Sequence, residues 1–371
     1  MSDAAWMRQA VLMAERGLGA TAPNPSVGAV LVRDGVLLAR ATTQAGGRPH
    51  AETVALAAAG GAARGATLYV TLEPCAHHGK TPPCADAVIA AGVARVVAGI
   101  EDPDPRVAGR GLALLRAAGI EVVLGVEAKA CRWVTLGHIL RVTERRPFVL
   151  IKMALMDDLT VPHSSGGQPR FVTGPEARAA GHMLRAQSDA ILVGAGTVRD
   201  DDPELTCRLP GMENRSPRRI VLDGKLEALT PNTKLARTAR DVPVWVFTSA
   251  EAPYDKRAAL ENMGVRVTVL DAINSRPSIK AAVGLMAEDG VTRLMVEGGR
   301  AIWQAFAWRG LLDEAVVFVQ WSEVLAQTWG KGSLDEPVTF QKLSRFQSLP
   351  AMDLAEQGTI GGDRFFRFER V

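Results

Sequence analysis

Four residues near the start of the chain have the types and spacing to hold a metal and do acid–base work beside it: His50, Glu52, Cys75 and Cys84. His50-Ala51-Glu52 is followed by Pro74-Cys75 and then, after eight intervening residues, by Cys84. Catalytic zinc takes three protein ligands and keeps its fourth position for water. One imidazole and two thiolates meet that count, and the ion still lowers the pKa of its water toward ~7. Glu52, two residues past the proposed ligand, is placed to move that water's proton without binding the metal. The order His-x-Glu then Pro-Cys…Cys marks the zinc deaminases, in which water adds to a ring carbon bearing an exocyclic amine and ammonia leaves. The longer gap between the cysteines matches the logic of that signature and not its letter. Two other readings stay open: a four-ligand structural zinc that uses His77 or His78, and an unrelated set of core residues. The ordered spacing and the glutamate favour the catalytic site.

The elements that must position these residues follow from periodicity. Trp6, Ala10, Met13, Ala14 and Leu18 recur at helical spacing behind a Ser2 or Asp3 cap. Val27–Val32 and Val36–Ala41 flank Asp34-Gly35, a hairpin turn pair. From His50 the chain alternates: a helix over 51–59, a strand Thr67–Leu72, a helix over 84–91, a strand Arg95–Ile100, a helix over 109–118 and a strand Ile120–Leu124. That pattern predicts a sheet covered by helices, an α/β layer. His50 and Cys84 then open two helices whose positive ends converge on the metal and favour negative charge there.

A helix over 127–140 runs into Arg145-Arg146-Pro147, where a domain boundary is expected, giving domains 1–146 and 147–371. The second alternation begins at Phe148–Ala154 and continues through Ala190–Val193, Arg219–Leu222, Val244–Thr248, Val265–Leu270, Arg293–Val296 and Ala315–Val319. Thr173-Gly174-Pro175-Glu176 reads as a capping box that starts a helix. Two domains also suit a length of 371 residues. The halves share no motif, so they are different domains and not a duplication.

Composition is that of a globular protein, 47% hydrophobic and 22% charged, and 43 basic against 40 acidic residues leave a net charge of +3. No basic stripe is present, so nucleic acid is not expected as a partner. No apolar run approaches the roughly 20 residues of a membrane helix, and Met1-Ser2-Asp3-Ala4-Ala5-Trp6 does not read as a secretory signal. A cytoplasmic setting follows. In that setting the close pair Cys75 and Cys84 reads as metal before disulfide, while Cys131 and Cys207 are assigned to packing.

With Asn24-Pro25-Ser26-Val27-Gly28, His50-Ala51-Glu52, the run Tyr69–Cys84 and Asp102–Gly109, the first half resembles the bifunctional riboflavin-biosynthesis deaminase/reductases. The eight-residue cysteine gap separates that family from other zinc deaminases. The resemblance implies a cytidine-deaminase-like three-layer α/β/α domain followed by a dihydrofolate-reductase-like α/β domain. The implied substrate is 2,5-diamino-6-(ribosylamino)pyrimidin-4-one 5′-phosphate, deaminated at its 2-amino group, with zinc held by His50, Cys75 and Cys84 and Glu52 as the catalytic acid/base. Asn24, His77 and Lys80 would touch that substrate. Many relatives carry a histidine near position 43, where this chain has Thr43.

In the second half, the matching pieces are Lys152-Met153-Ala154, Thr173-Gly174, Leu184-Arg185-Ala186, Asp189–Val198, Asp201–Arg208 and Val296–Gly299. The resemblance implies NADPH-dependent reduction of the ribosyl group to ribityl. Lys152 and Asp201 would be catalytic; Ala154, Thr173, Thr197, Asp201, Gly298 and Gly299 would hold NADPH; Arg185, Leu205, Arg208 and Glu297 would hold the substrate, the arginines by its phosphate. Glu297-Gly298-Gly299 joins a strand to a helix, so its amides suit a phosphate, and guanidinium forks suit phosphate bidentately. A dimer or tetramer of identical chains is the implied assembly. Three stretches depart from the family: Met156-Asp157-Asp158-Leu159 in place of Ser-Leu-Asp-Gly, Pro169-Arg170-Phe171-Val172 before Thr173, and Gln320-Trp321-Ser322-Glu323. A leucine in place of glycine matters where the backbone needs positive φ. The alternatives to a full bifunctional enzyme are therefore an active deaminase whose altered second domain serves assembly, and a zinc-stabilised nucleotide-binding module without catalysis.

Overall fold

In the computed structural model, Asp34 and Gly35 take left-handed φ values of 52° and 76°. They turn β1 (Gly28–Arg33) back on β2 (Val36–Thr42) as an antiparallel hairpin. The structure describes residues 1–77, 82–105, 107–161, 172–321, 338–344 and 352–370. It divides into two compact units, Met1–Pro147 with Met286–Thr292, and Phe148–Leu285 with Arg293–Val371.

In the first unit, β3 (Thr67–Leu72), β4 (Arg95–Ile100) and β5 (Glu121–Leu124) join the hairpin in the order β2-β1-β3-β4-β5. β3, β4 and β5 pair in parallel, each return being made by a helix. Alternation along the strands sends side chains to two cores. Ala29, Leu31, Leu68, Val70, Val96 and Ala98 pack on one face with α2 (Ala51–Ala59), α3 (Cys84–Ala90) and α4 (Arg110–Ala117). Val30, Val32, Tyr69 and Val97 pack on the other with Trp6, Met7 and Ala10 of α1 (Asp3–Gly17) and Cys131 of α5 (Ala128–Thr143). This is a three-layer α/β/α domain.

The close packing of α1 on the sheet explains part of the Asn24–Gly28 motif. A Cβ at Gly28 would lie 1.8 Å from Ala10 O, so only glycine fits there. Thr43 is 3% exposed. Its Oγ1 accepts the Val27 N–H at 3.0 Å, so this side chain clamps the start of β1.

The second unit is one nine-stranded sheet in the order β10-β9-β8-β7-β13-β6-β14-β16-β15. Its strands are β6 (Phe148–Leu155), β7 (Ala190–Gly194), β8 (Arg218–Leu222), β9 (Val244–Thr248), β10 (Arg266–Val269), β13 (Arg293–Val296), β14 (Glu314–Val319), β15 (Met352–Ile360) and β16 (Asp363–Arg370). A separate small hairpin pairs β11 (Ala272–Ile273) with β12 (Arg276–Pro277). From β10 to β14 every neighbour is parallel, and β16 and β15 close the edge antiparallel. The central strands are continuous apolar runs, as strands covered on both faces must be; β14 is buried at every position.

One local expectation is corrected. α6 (Pro175–Ala186) starts at Pro175, but its N-cap is Gly174, and no side chain of a Thr173 capping box bonds there. Asp363, at the start of β16, accepts the Gly174 N–H at 2.6 Å instead. A carboxylate from the other end of the domain thus meets the positive end of the helix.

Gly28→Ala is expected to destabilise the first unit by about 1–3 kcal/mol, because the clash is with backbone and not with a movable side chain. Gly35→Asn, in the open turn, should change stability by less than about 0.5 kcal/mol. Chemical denaturation of the two variants checks the contrast.

Candidate metal centre and reductase site

His50 is the N-cap of α2 and Cys84 is the first residue of α3, while Cys75 follows β3 by three residues. Three segments therefore deliver one donor each to one place. His50 Nδ1 lies 3.3 Å from Cys84 Sγ and 3.7 Å from Cys75 Sγ. All three ligand atoms lie within 4.8 Å of one another. Zinc–sulfur and zinc–nitrogen bonds of about 2.3 and 2.1 Å at a tetrahedral angle put sulfur and nitrogen about 3.6 Å apart, so the triangle has the right size. The Cys84 N–H donates to Cys75 Sγ at 3.3 Å, and the Ala85 N–H donates to Cys75 O at 3.1 Å. The cysteine loop is closed on itself by α3.

The electrostatics ask for a cation. A hydrogen bond from the Cys84 side chain, helped by His50 and opposed by burial, draws the Cys75 thiol down to about 4. The same hydrogen bond and burial push the Cys84 thiol up. Two thiolates held this close need a positive ion beside them. Glu52 is 3% exposed, and burial pushes its carboxyl up to about 7 against the opposing charge of His50. A carboxyl poised there both accepts and releases a proton near neutral pH.

The expected substrate-side residues fall differently. Asn24 Nδ2 donates to Gly47 O at 2.8 Å, so its amide holds the loop that leads into His50. His77 is exposed. Lys80, and His78 as the alternative fourth ligand, lie outside the described residues, as do Pro169, Arg170, Phe171, Ser322 and Glu323.

In the second unit, Lys152 on β6 and Glu297 after β13 come together because those strands are neighbours. Lys152 Nζ is 3.9 Å from Glu297 Oε1, and Arg185 Nη2 is 2.7 Å from Glu297 Oε2. Arg185 Nη1 also donates to Thr206 O at 3.0 Å. Burial works against the Glu297 charge, but Arg185 and Lys152 hold its carboxyl down to about 2. Burial, aided by Arg185 and opposed by Glu297, lowers Lys152 from its ordinary value. Arg208 is exposed and pairs with Glu204 at 3.0 Å, while its N–H donates to His182 Nδ1 at 3.3 Å.

Gly298 has φ +131°, and a Cβ there would lie 2.9 Å from Thr197 Oγ1. Gly299 caps α11 (Arg300–Ala307) without a side-chain hydrogen bond. Among the described residues, Asp201 Oδ1 is buried without a hydrogen-bond partner. Leu205 is 2% exposed at φ +57°. No direct contact joins Ala154, Thr173 or Asp201 to the Lys152–Glu297–Arg185 cluster among the hydrogen bonds and ion pairs described.

Met156–Leu159 forms a turn. Leu159 takes φ +61°, the left-handed conformation that glycine would favour. The turn is closed by Leu159 N–H to Met156 O at 2.9 Å and by Met156 N–H to Thr160 O at 2.9 Å. Asp158 Oδ1 accepts the Thr160 N–H at 2.8 Å as well. His182 was not anticipated from the sequence; its partner is 26 residues away, and no short-range pattern marks it.

An α/β/α layer with a His–Cys–Cys triangle and a buried glutamate beside it defines a zinc-dependent deaminase domain, here followed by a second α/β domain of its own sheet. Known proteins divide along the same line. The cytidine and deoxycytidylate deaminase zinc-binding region matches residues 1–100, and the RibD C-terminal domain matches residues 160–320. The riboflavin biosynthesis protein RibD of Haemophilus influenzae is 42% identical over 372 residues, covering 97% of this chain and 95% of its own. The solved RibD of Acinetobacter baumannii has a TM-score of 0.81 at 31% identity, covering 100% of this chain and 99% of that one. The diaminohydroxyphosphoribosylaminopyrimidine deaminase/5-amino-6-(5-phosphoribosylamino)uracil reductase of Thermotoga maritima has a TM-score of 0.81 at 32% identity, with the same coverage. The chain belongs to the RibD family, the bifunctional deaminase/reductases of riboflavin biosynthesis. Among the described residues, no helix is long and apolar enough to cross a membrane.

Purified protein is expected to carry about one zinc ion per chain. Cys75→Ser and Cys84→Ser should each lose most of it together with deamination, while reductase turnover persists because that site lies in another unit. Elemental analysis and parallel assays of both activities check this, and loss of both activities in folded protein would contradict the separation.

Proposed function

We propose that Glu52 is the proton carrier of a hydrolytic deaminase acting on 2,5-diamino-6-(ribosylamino)pyrimidin-4-one 5′-phosphate. The second unit then reduces the ribosyl group of the product to ribityl. The observation that carries the first half is the triangle of His50, Cys75 and Cys84 with the buried Glu52 carboxyl two residues from the imidazole ligand. Zinc bound by these three donors supplies the Lewis acidity that lowers the pKa of water toward ~7. Glu52 takes a proton from the attacking water and returns it to the departing amino nitrogen; a carbon–oxygen bond forms, the carbon–nitrogen bond breaks and ammonia leaves. The low local polarity that raises the Glu52 carboxyl is what fits it for both halves of this transfer. Asn24, His77 and Lys80 are assigned to the pyrimidine and its phosphate, and Asn24 sits where its amide already orders the chain before His50.

In the second unit, NADPH supplies the hydride equivalent. Ala154, Thr173, Thr197, Asp201, Gly298 and Gly299 are assigned to it. The uncapped amides at the start of α11 and the close approach of Gly298 to Thr197 support this placement. Lys152 is read as the group that holds a proton at the sugar oxygen, oriented by Glu297, and Asp201 is assigned a catalytic role of its own. Arg185, Leu205, Arg208 and Glu297 are assigned to the substrate. Arg185 is already engaged by Glu297, so its part is to set the charge and angle of that carboxylate, and Arg208 offers the more accessible guanidinium for phosphate. A cytoplasmic setting accords with four free cysteines, and a homo-oligomer of two or four chains is the assembly that the resemblance implies.

The deciding experiment is paired: ammonia release from the diaminopyrimidine phosphate, and NADPH oxidation with the deaminated product. Glu52→Gln should lower deamination about 10²–10⁴-fold with zinc retained and NADPH oxidation unchanged. Deamination at the wild-type rate would remove Glu52 from the mechanism. Absence of NADPH oxidation in wild-type protein would leave a deaminase whose second unit serves another end.

Lys152 yields a pH prediction. Its folded-state pKa is lowered by burial, so the ammonium is lost at a lower pH than in free lysine. NADPH oxidation should therefore fall on the alkaline side with an apparent pKa below the ordinary value of 10.5. In Lys152→Arg this limb should be absent, whatever the residual rate; a pH profile of kcat for both forms checks it.

A further inference from the structure

Glu73 lies between β3 and the Pro74-Cys75 pair, and nothing so far has given it a task. It is 3% exposed, yet its carboxyl meets four backbone N–H groups. Oε2 accepts from Asp102 at 3.1 Å and Gly109 at 2.9 Å, and Oε1 accepts from Gly111 at 2.8 Å and Leu112 at 3.2 Å. Its own N–H donates to Ile100 O at 3.0 Å, continuing the ladder one step past β3. A buried carboxyl with each oxygen doubly bonded is tightly oriented, because any rotation leaves buried donors without a partner.

The end of β3, the chain leaving β4 and the first turn of α4 therefore meet on one side chain. α4 depends on it. Its N-cap, Gly109, has φ +73° and no side chain to cover the first amides. Glu73 supplies that cap from outside the helix and faces the positive end of its dipole. Gly111 brings the turn closer still: a Cβ there would lie 1.9 Å from Pro74 O. The start of α4 is thus seated on the residue that leads into the Cys75 ligand. The Asp102–Gly109 motif is the return from β4 that makes this possible. It is braced by the Asp104 N–H to Asp102 Oδ1 at 2.9 Å and by His138 Nε2, 3.5 Å from the same oxygen.

We propose that Glu73 is a positioning residue of the deaminase centre. By fixing Pro74 between β3 and α4 it fixes where Cys75 Sγ sits, and hence how firmly zinc is held and how it lies against Glu52. This rests on the zinc-deaminase reading of His50, Cys75 and Cys84. A residue that only stabilised the fold would lower the melting temperature and leave the metal's behaviour alone.

The test uses full-length, zinc-loaded protein. Glu73→Gln keeps the shape but turns an NH₂ toward two backbone donors in either orientation. Zinc transfer to the chelating dye 4-(2-pyridylazo)resorcinol should become on the order of 10-fold faster, and kcat for ammonia release on the order of 10-fold lower, the range seen for groups that orient metal ligands. KM should stay within about 3-fold, and NADPH oxidation should not change. Native zinc transfer and kcat, whatever the melting temperature, overturn the proposal. If Glu73→Gln does not fold, Gly109→Ala, which keeps the carboxyl but strains one of its donors at φ +73°, should move both quantities in the same direction by about 3-fold. No movement there overturns the proposal equally. Wild-type protein that retains no zinc would sink the deaminase reading itself, and that control is independent of the variants.

Discussion

Two thiols buried beside one imidazole cannot both ionise unaided, and the first unit is organised around that constraint. His50, Cys75 and Cys84 bring their donor atoms within 4.8 Å of one another, so two thiolates there require a positive charge beside them. The donors therefore have to be held together while they still repel a second negative charge. The fold does this with ordinary parts: the last residue before one helix, the first residue of another, and a loop whose carbonyl and sulfur both accept hydrogen bonds from the second helix. Two helix N-termini point at the site, so the backbone supplies part of the positive potential before any metal arrives. Burial in the same place raises the Glu52 carboxyl.

The clustering of His50, Cys75 and Cys84 and the α/β layering of the first unit were legible in the sequence because each follows from local elements. Residues next to a cap, a turn pair such as Asp34-Gly35, and the short apolar runs of β1 and β3 all declare themselves within a few positions. What was not legible comes from pairings between distant segments. The capping box at Thr173 is the clearest case: the local pattern was present, but Asp363, 189 residues away, reaches the Gly174 amide and replaces it. Glu73 had only a weak signal, a carboxylate at the end of an apolar strand, and its donors lie 29 to 39 residues on. The Lys152–Glu297–Arg185 cluster likewise depends on β13 inserting between β6 and β7, an order that the sequence does not announce.

The positions where this chain departs from its family show the same division between side chain and backbone. Thr43, near which the family resemblance implies a histidine, turns inward to clamp Val27, so its hydroxyl serves the fold. Leu159, where the family resemblance implies a glycine, takes a left-handed φ of +61°, at a cost of order 1–2 kcal/mol. Asp158 and the Met156–Thr160 bonds offset that cost locally. Lys152, seven residues before Leu159 and anchored in β6 between β13 and β14, owes its place to the sheet and not to this turn. The His50–Cys75–Cys84 group depends on three donors and the segments that carry them, whereas the Lys152–Glu297–Arg185 cluster is an ion-pair network built on strand order.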